Sequence, residues 1–373
     1  MFYFILFLFI FLTLIYASKI LFFYYGLFQL KSGSNETEHS VTALIPARNE
    51  QHNISKCLDS LIQQNYPKDK LEIIVIDDDS NDKTGEIVED YSTQYPFIRL
   101  ISLGQCPAGV SPKKRALQVG VEAAEGKIIF TTDADCQAAP NWISQMVTHF
   151  ESDVGMVIGY VGFSKSSEKN LFHKIQSLEF IGLTTAGIGS IGTGDPIIAN
   201  GANLAFRTTA FRQVGGYRGE DHVISGDDDL LLQKIDQNTN WKIRASISLD
   251  TFIFTSPVSD FYTFLKQRIR WASKSLIYKK VSLILFLLST YLLYLLLFIS
   301  IPFSLIFLFH FPYPIIALLI KLTVDFLLMF KGTALVRRKD LRKYFLIAEI
   351  LQIPYILYVG FAGILGRFEW KGR

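Results

Sequence analysis

Acidic side chains occur in three tight groups that could bind a cation or take a proton. The groups are the run Asp77–Asp79, the pair Asp133 and Asp135, and the run Asp227–Asp229. Carboxylates bunched this closely repel one another unless a cation or hydrogen-bond donors bind among them. Two carboxylates one residue apart can coordinate Mg²⁺ or Mn²⁺, hard ions that often leave their other positions to substrate phosphates.

Each group also has a structural explanation. Asp and Asn favour turns and helix N-caps, and Asp79 with Ser80 and Asn81 fits that role. The first group could instead accept hydrogen bonds from a nucleotide base or a ribose. Acids are favourable in the first turn of a helix, but a cap needs one or two, and Asp227–Asp229 supplies three. A carboxylate there could act as the general base for an acceptor hydroxyl.

The elements that would position these acids alternate along the chain. Apolar runs predict strands, and helical spacing between them predicts helices; the strands cover 41–47, 71–77, 97–103 and 127–135, and the helices lie within 50–64, after 80 and at 112–124. This alternation indicates an α/β domain with a mostly parallel sheet. Because ligands bind beyond the carboxyl ends of parallel strands, the candidate site residues lie in 47–50, 77–80 and 132–136.

Composition limits the class of protein. The chain has 373 residues, 50% of them hydrophobic, and a net charge of +3, which gives no support to nucleic-acid binding. The apolar surplus lies near the two ends, and the middle, about residues 38–275, has ordinary globular composition. The three cysteines fit neither a zinc site nor a disulfide framework, so we expect reduced, buried thiols at Cys57, Cys106 and Cys136.

Four apolar runs are candidates for membrane spans. The first, 3–28, is interrupted only by Lys19, and no basic residue precedes Phe7, which favours an uncleaved anchor over a signal peptide. The later runs cover 281–309, 313–330 and 345–366. The third run in the chain contains Lys321 and Asp325, which we interpret as an i,i+4 pair near a helix end, although intramembrane charges are candidates for function.

Basic residues in short loops predict the orientation of the spans. The loop after the third run should be cytoplasmic, because it carries Lys331, Arg337, Arg338, Lys339, Arg342 and Lys343. Residues 31–280 would then be cytoplasmic too, in an integral protein of the bacterial inner membrane. The C-terminal RFEWKGR, 367–373, would lie outside, unless the last run turns back or lies along the membrane.

A basic and aromatic stretch precedes the second run. Residues 257–280 contain the string QRIRW at 267–271. Its composition is typical of an interfacial helix with snorkelling cations and a Trp at headgroup level.

The order of the motifs resembles a known family. ALIPARNE, VIDDDSNDKT, TTDADC, ANGANLAFR, SGDDDL and QRIRW, within about 41–275, are similar to the inverting family 2 glycosyltransferases with a GT-A fold. Membrane-bound members, such as ceramide glucosyltransferases and the synthases of cellulose, chitin and hyaluronan, are the most alike. The resemblance implies an N-terminal anchor at 1–30, a GT-A domain at 38–256, an interfacial helix at 257–280 and a membrane region of about three helices at 281–373.

The resemblance also implies roles for individual residues. The donor would be bound by Pro46, Glu50, Asp77, Asp78, Lys114, Asp133 and Arg270. The carboxylates of Asp133 and Asp135 would hold Mg²⁺ or Mn²⁺ under the diphosphate. Asp227 would be the general base, with Asp228 as the alternative, because SGD stands where TED is more usual. Trp271 and Gln267 would contact the acceptor.

The implied activity is metal-dependent transfer, with inversion, of a sugar from a nucleotide-diphosphate donor, first of all a UDP-sugar, to a lipid or other membrane-associated acceptor. A processive polysaccharide synthase is the alternative, although four spans are few for extrusion. A third hypothesis is a non-catalytic nucleotide-sugar-binding membrane protein. It predicts that the acids at 227–229 have been replaced, but all three are present. The apolar, Gly-rich segment 178–206 is interpreted as part of an acceptor pocket or as a mobile loop.

Overall fold

The computed structural model describes residues 2–306 and 312–365. The chain divides into two compact units, which we call the sheet unit and the helical unit. The sheet unit comprises Gln29–Ser167 and Ser190–Ser256, and the helical unit comprises Met1–Phe28, Glu168–Gly189 and Pro257–Arg373. The predictions for RFEWKGR and for residues 307–309 fall outside the described residues.

Ten strands form two sheets within the described residues. In chain order they are β1 (Val41–Ala47), β2 (Leu71–Asp78), β3 (Ile98–Leu103), β4 (Ile128–Thr131), β5 (Gln137–Ala138), β6 (Val154–Ile158), β7 (Val161–Phe163), β8 (Leu204–Arg207), β9 (Lys242–Ala245) and β10 (Ile253–Thr255). The larger sheet has the order β3-β2-β1-β4-β8-β6-β9, and the smaller has the order β5-β10-β7. In the larger sheet only β8 runs antiparallel to its neighbours, so the predicted mostly parallel sheet is confirmed.

In the part of the chain that the structure describes, twelve α-helices accompany the strands. They are α1 (Phe2–Gly26), α2 (Ile54–Ile62), α3 (Thr84–Gln94), α4 (Pro112–Ala123), α5 (Trp142–Val147), α6 (Leu171–Gly192), α7 (Thr208–Gln213), α8 (Asp229–Asn238), α9 (Phe261–Ser273), α10 (Val281–Ile306), α11 (Tyr313–Leu335) and α12 (Phe345–Ile364).

The central strands form because they are apolar on both faces. In β1 every residue except Pro46 is buried, and β2 is buried from Ile73 onward, as expected for parallel strands covered on both sides. Helix α4 packs closely on them, because a side chain at Gly120 would come within 3.0 Å of Ile76 and 3.1 Å of Leu44. The core of the sheet unit therefore lies directly beneath the strand ends that carry the acids.

The fourth strand is shorter than predicted. It ends at Thr131 rather than at 135, because the chain then bends: Cys136 N donates to Asp133 O at 3.0 Å, which closes a turn. The bend takes the acidic pair out of the sheet and leaves it on the loop beyond the strand.

Four of the described helices are long and apolar enough to span a membrane: Tyr3–Gly26, Val281–Ile306, Tyr313–Leu335 and Lys339–Ile364. They agree with the four predicted runs. Within the helical unit, α1 packs against α10 and α11, and α12 packs against α9 and α10.

The Gly-rich segment 178–206 is not a loop throughout, because its first part forms the end of α6. The glycines allow close helix packing rather than turns. A side chain at Gly189 would come within 2.2 Å of Phe23 O, and one at Gly182 within 2.7 Å of Met329 Sδ. Small residues at such crossings let helices approach closely in membranes.

The predicted Lys321–Asp325 pair forms, with an N–O distance of 3.0 Å. It lies in the middle of α11 rather than near a helix end, and it is not isolated. Lys321 also pairs with Glu349 of α12, and Tyr16 of α1 donates to Asp325 Oδ1 at 2.8 Å. These polar groups therefore tie three of the four long apolar helices together.

Candidate active site

Lys113 connects the second and third acidic groups. Its Nζ atom lies 2.7 Å from Asp133 Oδ1 and 3.2 Å from Asp227 Oδ2. Lys113 lies in the first turn of α4, Asp133 follows β4, and Asp227 precedes α8. The loop after β4 and the loop before α8 thus both meet the ammonium at the start of α4. The two carboxylates therefore lie within reach of a common cation.

The charge on Lys113 is maintained by these neighbours. Burial by itself lowers the pKa of the Lys113 ammonium, but the carboxylates of Asp133 and Asp227 outweigh that effect, and the pKa is raised. The side chain remains about one-fifth exposed, 21%, so the ammonium can still meet a ligand.

The acidic pair fits a divalent cation. Asp133, Asp135 and Cys136 each offer a ligand atom, and these atoms lie within 4.8 Å of one another. Burial and the nearby Asp135 and Asp133 raise the pKa of the Cys136 thiol. The carboxylate oxygens are the donors that Mg²⁺ and Mn²⁺ prefer.

Asp228 and Asp229 bind the backbone of a neighbouring loop. Asp228 is the N-cap of α8, where its Oδ1 accepts from Asp229 N at 2.7 Å and its Oδ2 accepts from Gly201 N at 3.0 Å. The Asp229 side chain is fully buried and accepts from Ala199 N at 2.8 Å. The capping explanation therefore applies to Asp228, while Asp227 faces Lys113.

Because Gly201 has no side chain, the Asp227 carboxylate can lie close to its backbone. A side chain at Gly201 would come within 2.7 Å of Asp227 Oδ2 and 3.3 Å of Lys113 Nζ. The ANGAN segment, 199–203, thus borders the acidic cluster through its backbone.

The first acidic group is held at the end of β2. Asp77 Oδ1 accepts a hydrogen bond from Ser80 Oγ, and Asp78 lies 3.8 Å from the Arg48 guanidinium. The same guanidinium lies 3.6 Å from Asp79 Oδ2. Asp77 and Asp78 are largely buried, at 8% and 4% exposure, so these carboxylates are fixed in place.

Two residues with left-handed backbones join the ends of β1 and β2. Asn49 has a φ of 54° and Asp79 a φ of 60°, values unusual for residues other than glycine. Asn49 N donates to Ser80 Oγ, and Asn81 N donates to Asn49 Oδ1, both at 2.9 Å. The two loops therefore form one hydrogen-bonded rim at the carboxyl edge of the sheet.

Pro46 and Glu50 lie on the same rim. Pro46 is opposite Ile76 in the β1–β2 register. Glu50 N donates to Thr84 Oγ1 at 2.8 Å, and the Glu50 carboxylate accepts from Asn53 Nδ2 at 2.8 Å. The structure thus brings together Pro46, Glu50, Asp77 and Asp78, the residues singled out for nucleoside binding.

The two lysines of α4 have different surroundings. Lys114, the one singled out from sequence, is 1% exposed and donates to Glu220 O at 2.8 Å. Lys113, which was not singled out, contacts the acids. Helical periodicity could have distinguished the two lysines, because Lys114 shares the buried face of α4 with Leu117 and Val121.

The QRIRW string lies on α9 in the helical unit. Gln267 Oε1 accepts from Arg268 at 2.6 Å, and the Trp271 ring lies 4.2 Å from the Arg268 guanidinium. Arg270 is half-buried on the same helix. Gln267, Arg270 and Trp271 therefore belong to a different unit from the acidic cluster.

Comparison with known sequences finds a family match over the middle of the chain. Residues 42–215 match the family model "Glycosyl transferase family 2". The probable glycosyltransferase YdaM of Bacillus subtilis is 29% identical over 62% of this chain and 54% of its own length. The beta-monoglucosyldiacylglycerol synthase of Synechocystis sp. is 24% identical over 62% of this chain and 47% of its own. The chain thus spans about half the length of these relatives.

A solved structure shares the fold. The mannosyltransferase PcManGT from Pyrobaculum calidifontis, in complex with GDP-Man and Mn²⁺, superposes with a TM-score of 0.59 at 21% sequence identity, covering 94% of this chain and 99% of that one. Residues 42–215 of this chain therefore match glycosyl transferase family 2, and the chain has a GT-A-like α/β fold.

Proposed function

We propose that the protein is an inverting, metal-dependent glycosyltransferase that moves a sugar from a nucleotide-diphosphate sugar to a lipid or other membrane-associated acceptor. The observation that carries this proposal is the contact of one ammonium, Lys113, with both Asp133 and Asp227. That contact brings the candidate metal ligand and the candidate base to one point at the carboxyl edge of the sheet.

The proposed chemistry uses each of these groups. Asp133 and Asp135 hold Mg²⁺ or Mn²⁺, which neutralises the diphosphate leaving group when bound. Lys113 supplies a further positive charge where negative charge develops on the diphosphate. Asp227 takes the proton of the acceptor hydroxyl as that oxygen attacks the anomeric carbon. The bond from that carbon to the diphosphate oxygen breaks with its electron pair on the leaving group, and the configuration inverts.

The donor is bound at the rim described above. Asp77, Asp78, Pro46 and Glu50 contact the nucleoside, and Arg270 contacts the diphosphate. A UDP-sugar is the first candidate. Because the mannosyltransferase with the shared fold is in complex with GDP-Man, GDP-sugars belong in any test.

A lipid acceptor is supported by two observations. The chain carries four helices that are apolar enough to span a membrane, and one of its relatives is named a beta-monoglucosyldiacylglycerol synthase. We place the sheet unit on the cytoplasmic side, because the loop before α12 is rich in Lys and Arg. Trp271 and Gln267 contact this acceptor.

A processive polysaccharide synthase is the second candidate. The QRIRW string has a form often seen in processive synthases, but it also resembles variants in non-processive lipid glycosyltransferases, so it does not decide between the two candidates. The length of the product distinguishes the two candidates.

The test is a transfer assay with the full-length protein in detergent. UDP- and GDP-sugars are supplied with Mn²⁺ or Mg²⁺, with and without diacylglycerol-containing membrane lipid, and the release of nucleoside diphosphate is measured. Metal-dependent release that lipid stimulates, with a single sugar added per lipid, supports the proposal. Long products favour the synthase, and no binding or turnover of any nucleotide sugar contradicts both.

A further inference from the structure

The two arginines of QRIRW have different surroundings. Arg268 is buried, with 3% exposure, whereas Arg270 is half-buried. Residues two apart on a helix do not face each other, so the two side chains leave α9 in different directions. Arg268 points into the helical unit, and Arg270 is the arginine that the proposed function assigns to the diphosphate.

Arg268 is fixed by a two-point ion pair. Its Nε donates to Glu179 Oε1 at 3.0 Å, and a terminal nitrogen donates to Glu179 Oε2. Glu179 lies on α6, so the pair joins α6 to α9. Burial disfavours the charged guanidinium, but Glu179 outweighs that effect and the pKa of Arg268 is raised. Bidentate pairs of this kind fix orientation as well as distance.

A third helix completes the network. The Tyr355 hydroxyl, on α12, donates to Glu179 Oε1 at 2.9 Å. The Tyr355 ring also lies 5.4 Å from the ring of Phe264, which precedes Arg268 by one helical turn. The position of α9 relative to α6 and α12 is therefore set by both polar and aromatic contacts.

The network also contacts Gln267 and Trp271, which stand before and after Arg270 in the QRIRW string. Arg268 donates to Gln267 Oε1 at 2.6 Å, and its guanidinium lies 4.2 Å from the Trp271 ring centre, within cation–π range. The Trp271 ring also lies beside Phe180, with centroids 6.0 Å apart, and Phe180 follows Glu179 in α6. Gln267 and Trp271 are thus held by the same ion pair.

We propose that Glu179, Arg268 and Tyr355 form a positioning network that fixes Arg270 and Trp271 for the donor diphosphate and the acceptor. This inference rests on the proposed function of Arg270 and Trp271. Arg268 itself is a positioning residue and touches no substrate. Because a displacement of about 1 Å can cost about 10²-fold in rate, small changes in the network should be visible in turnover.

The variants are Arg268→Lys, which keeps the charge but loses the two-point pair, and Tyr355→Phe, which removes one hydroxyl. Their matched controls are Arg212→Lys, an exposed arginine on α7, and Tyr358→Phe, an exposed tyrosine on α12. In the full-length protein we expect kcat to fall at least about tenfold for Arg268→Lys and severalfold for Tyr355→Phe, with both controls unchanged.

A double-mutant cycle separates positioning from loss of stability. If Arg268 acts through Arg270, the Arg268→Lys change should have almost no further effect on kcat in an Arg270→Ala background. Effects that multiply fully, or an Arg268→Lys protein with wild-type kcat, would overturn the proposal. Melting temperatures measured alongside show whether the variants are folded.

A second readout does not depend on turnover. The emission of Trp271 is isolated by subtracting the spectrum of the matching Trp271→Phe protein. We expect that emission to change in Arg268→Lys and Tyr355→Phe and to stay constant in the controls. If the wild-type protein turns over no nucleotide sugar but this emission changes, the proposed function fails and the network stands. Unchanged Trp271 emission in both variants overturns the network.

Discussion

The Nζ atom of Lys113 lies 2.7 Å from Oδ1 of Asp133, the first carboxylate of the candidate metal pair. The ammonium would therefore compete with a divalent cation for that oxygen. We expect Lys113→Met to bind Mn²⁺ severalfold more tightly in the absence of nucleotide, as measured by the electron paramagnetic resonance signal of free Mn²⁺.

The same substitution should slow transfer. Removing one group that stabilises the developing charge typically costs about 10²–10³-fold in kcat. Lys56→Met, an exposed lysine of α2, is the control and should change neither quantity. Weaker Mn²⁺ binding in Lys113→Met would argue against competition at Asp133.

The absence of a side chain at Gly201 should be essential for turnover. Gly201→Ala brings a methyl group within 2.7 Å of Asp227 Oδ2, so the carboxylate must move. We expect kcat to fall by about 10²-fold, because the candidate base is displaced, while the melting temperature changes little. Gly104→Ala is the matched control, since nothing lies within 4 Å of the added atom. Equal rates for the two variants would show that Asp227 does not need its present position.

The buried Lys321 cluster should stabilise the helical unit. Lys321 is fully buried and pairs with Asp325 and Glu349, so Lys321→Met leaves two carboxylates without a cation. Breaking a buried pair in this way costs about 3–5 kcal/mol of unfolding free energy. A large fall in the melting temperature in detergent is therefore expected.

Neutralising the partners should restore part of that loss. The triple variant Lys321→Met, Asp325→Asn, Glu349→Gln removes the uncompensated charges and should melt above Lys321→Met alone. Lys339→Met, an exposed lysine at the start of the last spanning segment, serves as the control. If Lys321→Met has the same melting temperature as the wild-type protein, the cluster does not stabilise the helical unit.

The sheet could be predicted because its strands are buried on both faces and so form continuous apolar runs, as in β1 and β2. The four long apolar helices could be predicted from length and apolar composition. Helix α6 was missed because its glycines resemble a loop, although Gly182 and Gly189 serve helix contacts that depend on residues far away in sequence.

Within the site, the positions of the acidic groups could be predicted from the sequence, but the role of each carboxylate could not. Asp227 and Asp228 are adjacent, and only the start of α8 shows which one is the N-cap. Lys113 and Lys114 pose the same problem, since one position on α4 separates the buried face from the acids. Glu349 could not be linked to Lys321 from sequence, because the two lie on different helices.

The comparison of Asp227→Asn with Asp228→Asn tests the central claim most directly. Both variants remove one charge at adjacent positions, but Asp227 lies 3.2 Å from Lys113 Nζ, whereas Asp228 caps α8. Transfer is measured with a nucleotide sugar that the wild-type protein uses, at saturating donor, metal and acceptor, beside nucleotide binding. Our account predicts that Asp227→Asn binds nucleotide but loses about 10²–10⁴-fold in kcat, whereas Asp228→Asn keeps most of its turnover and loses mainly stability. Near-normal transfer by Asp227→Asn would contradict it.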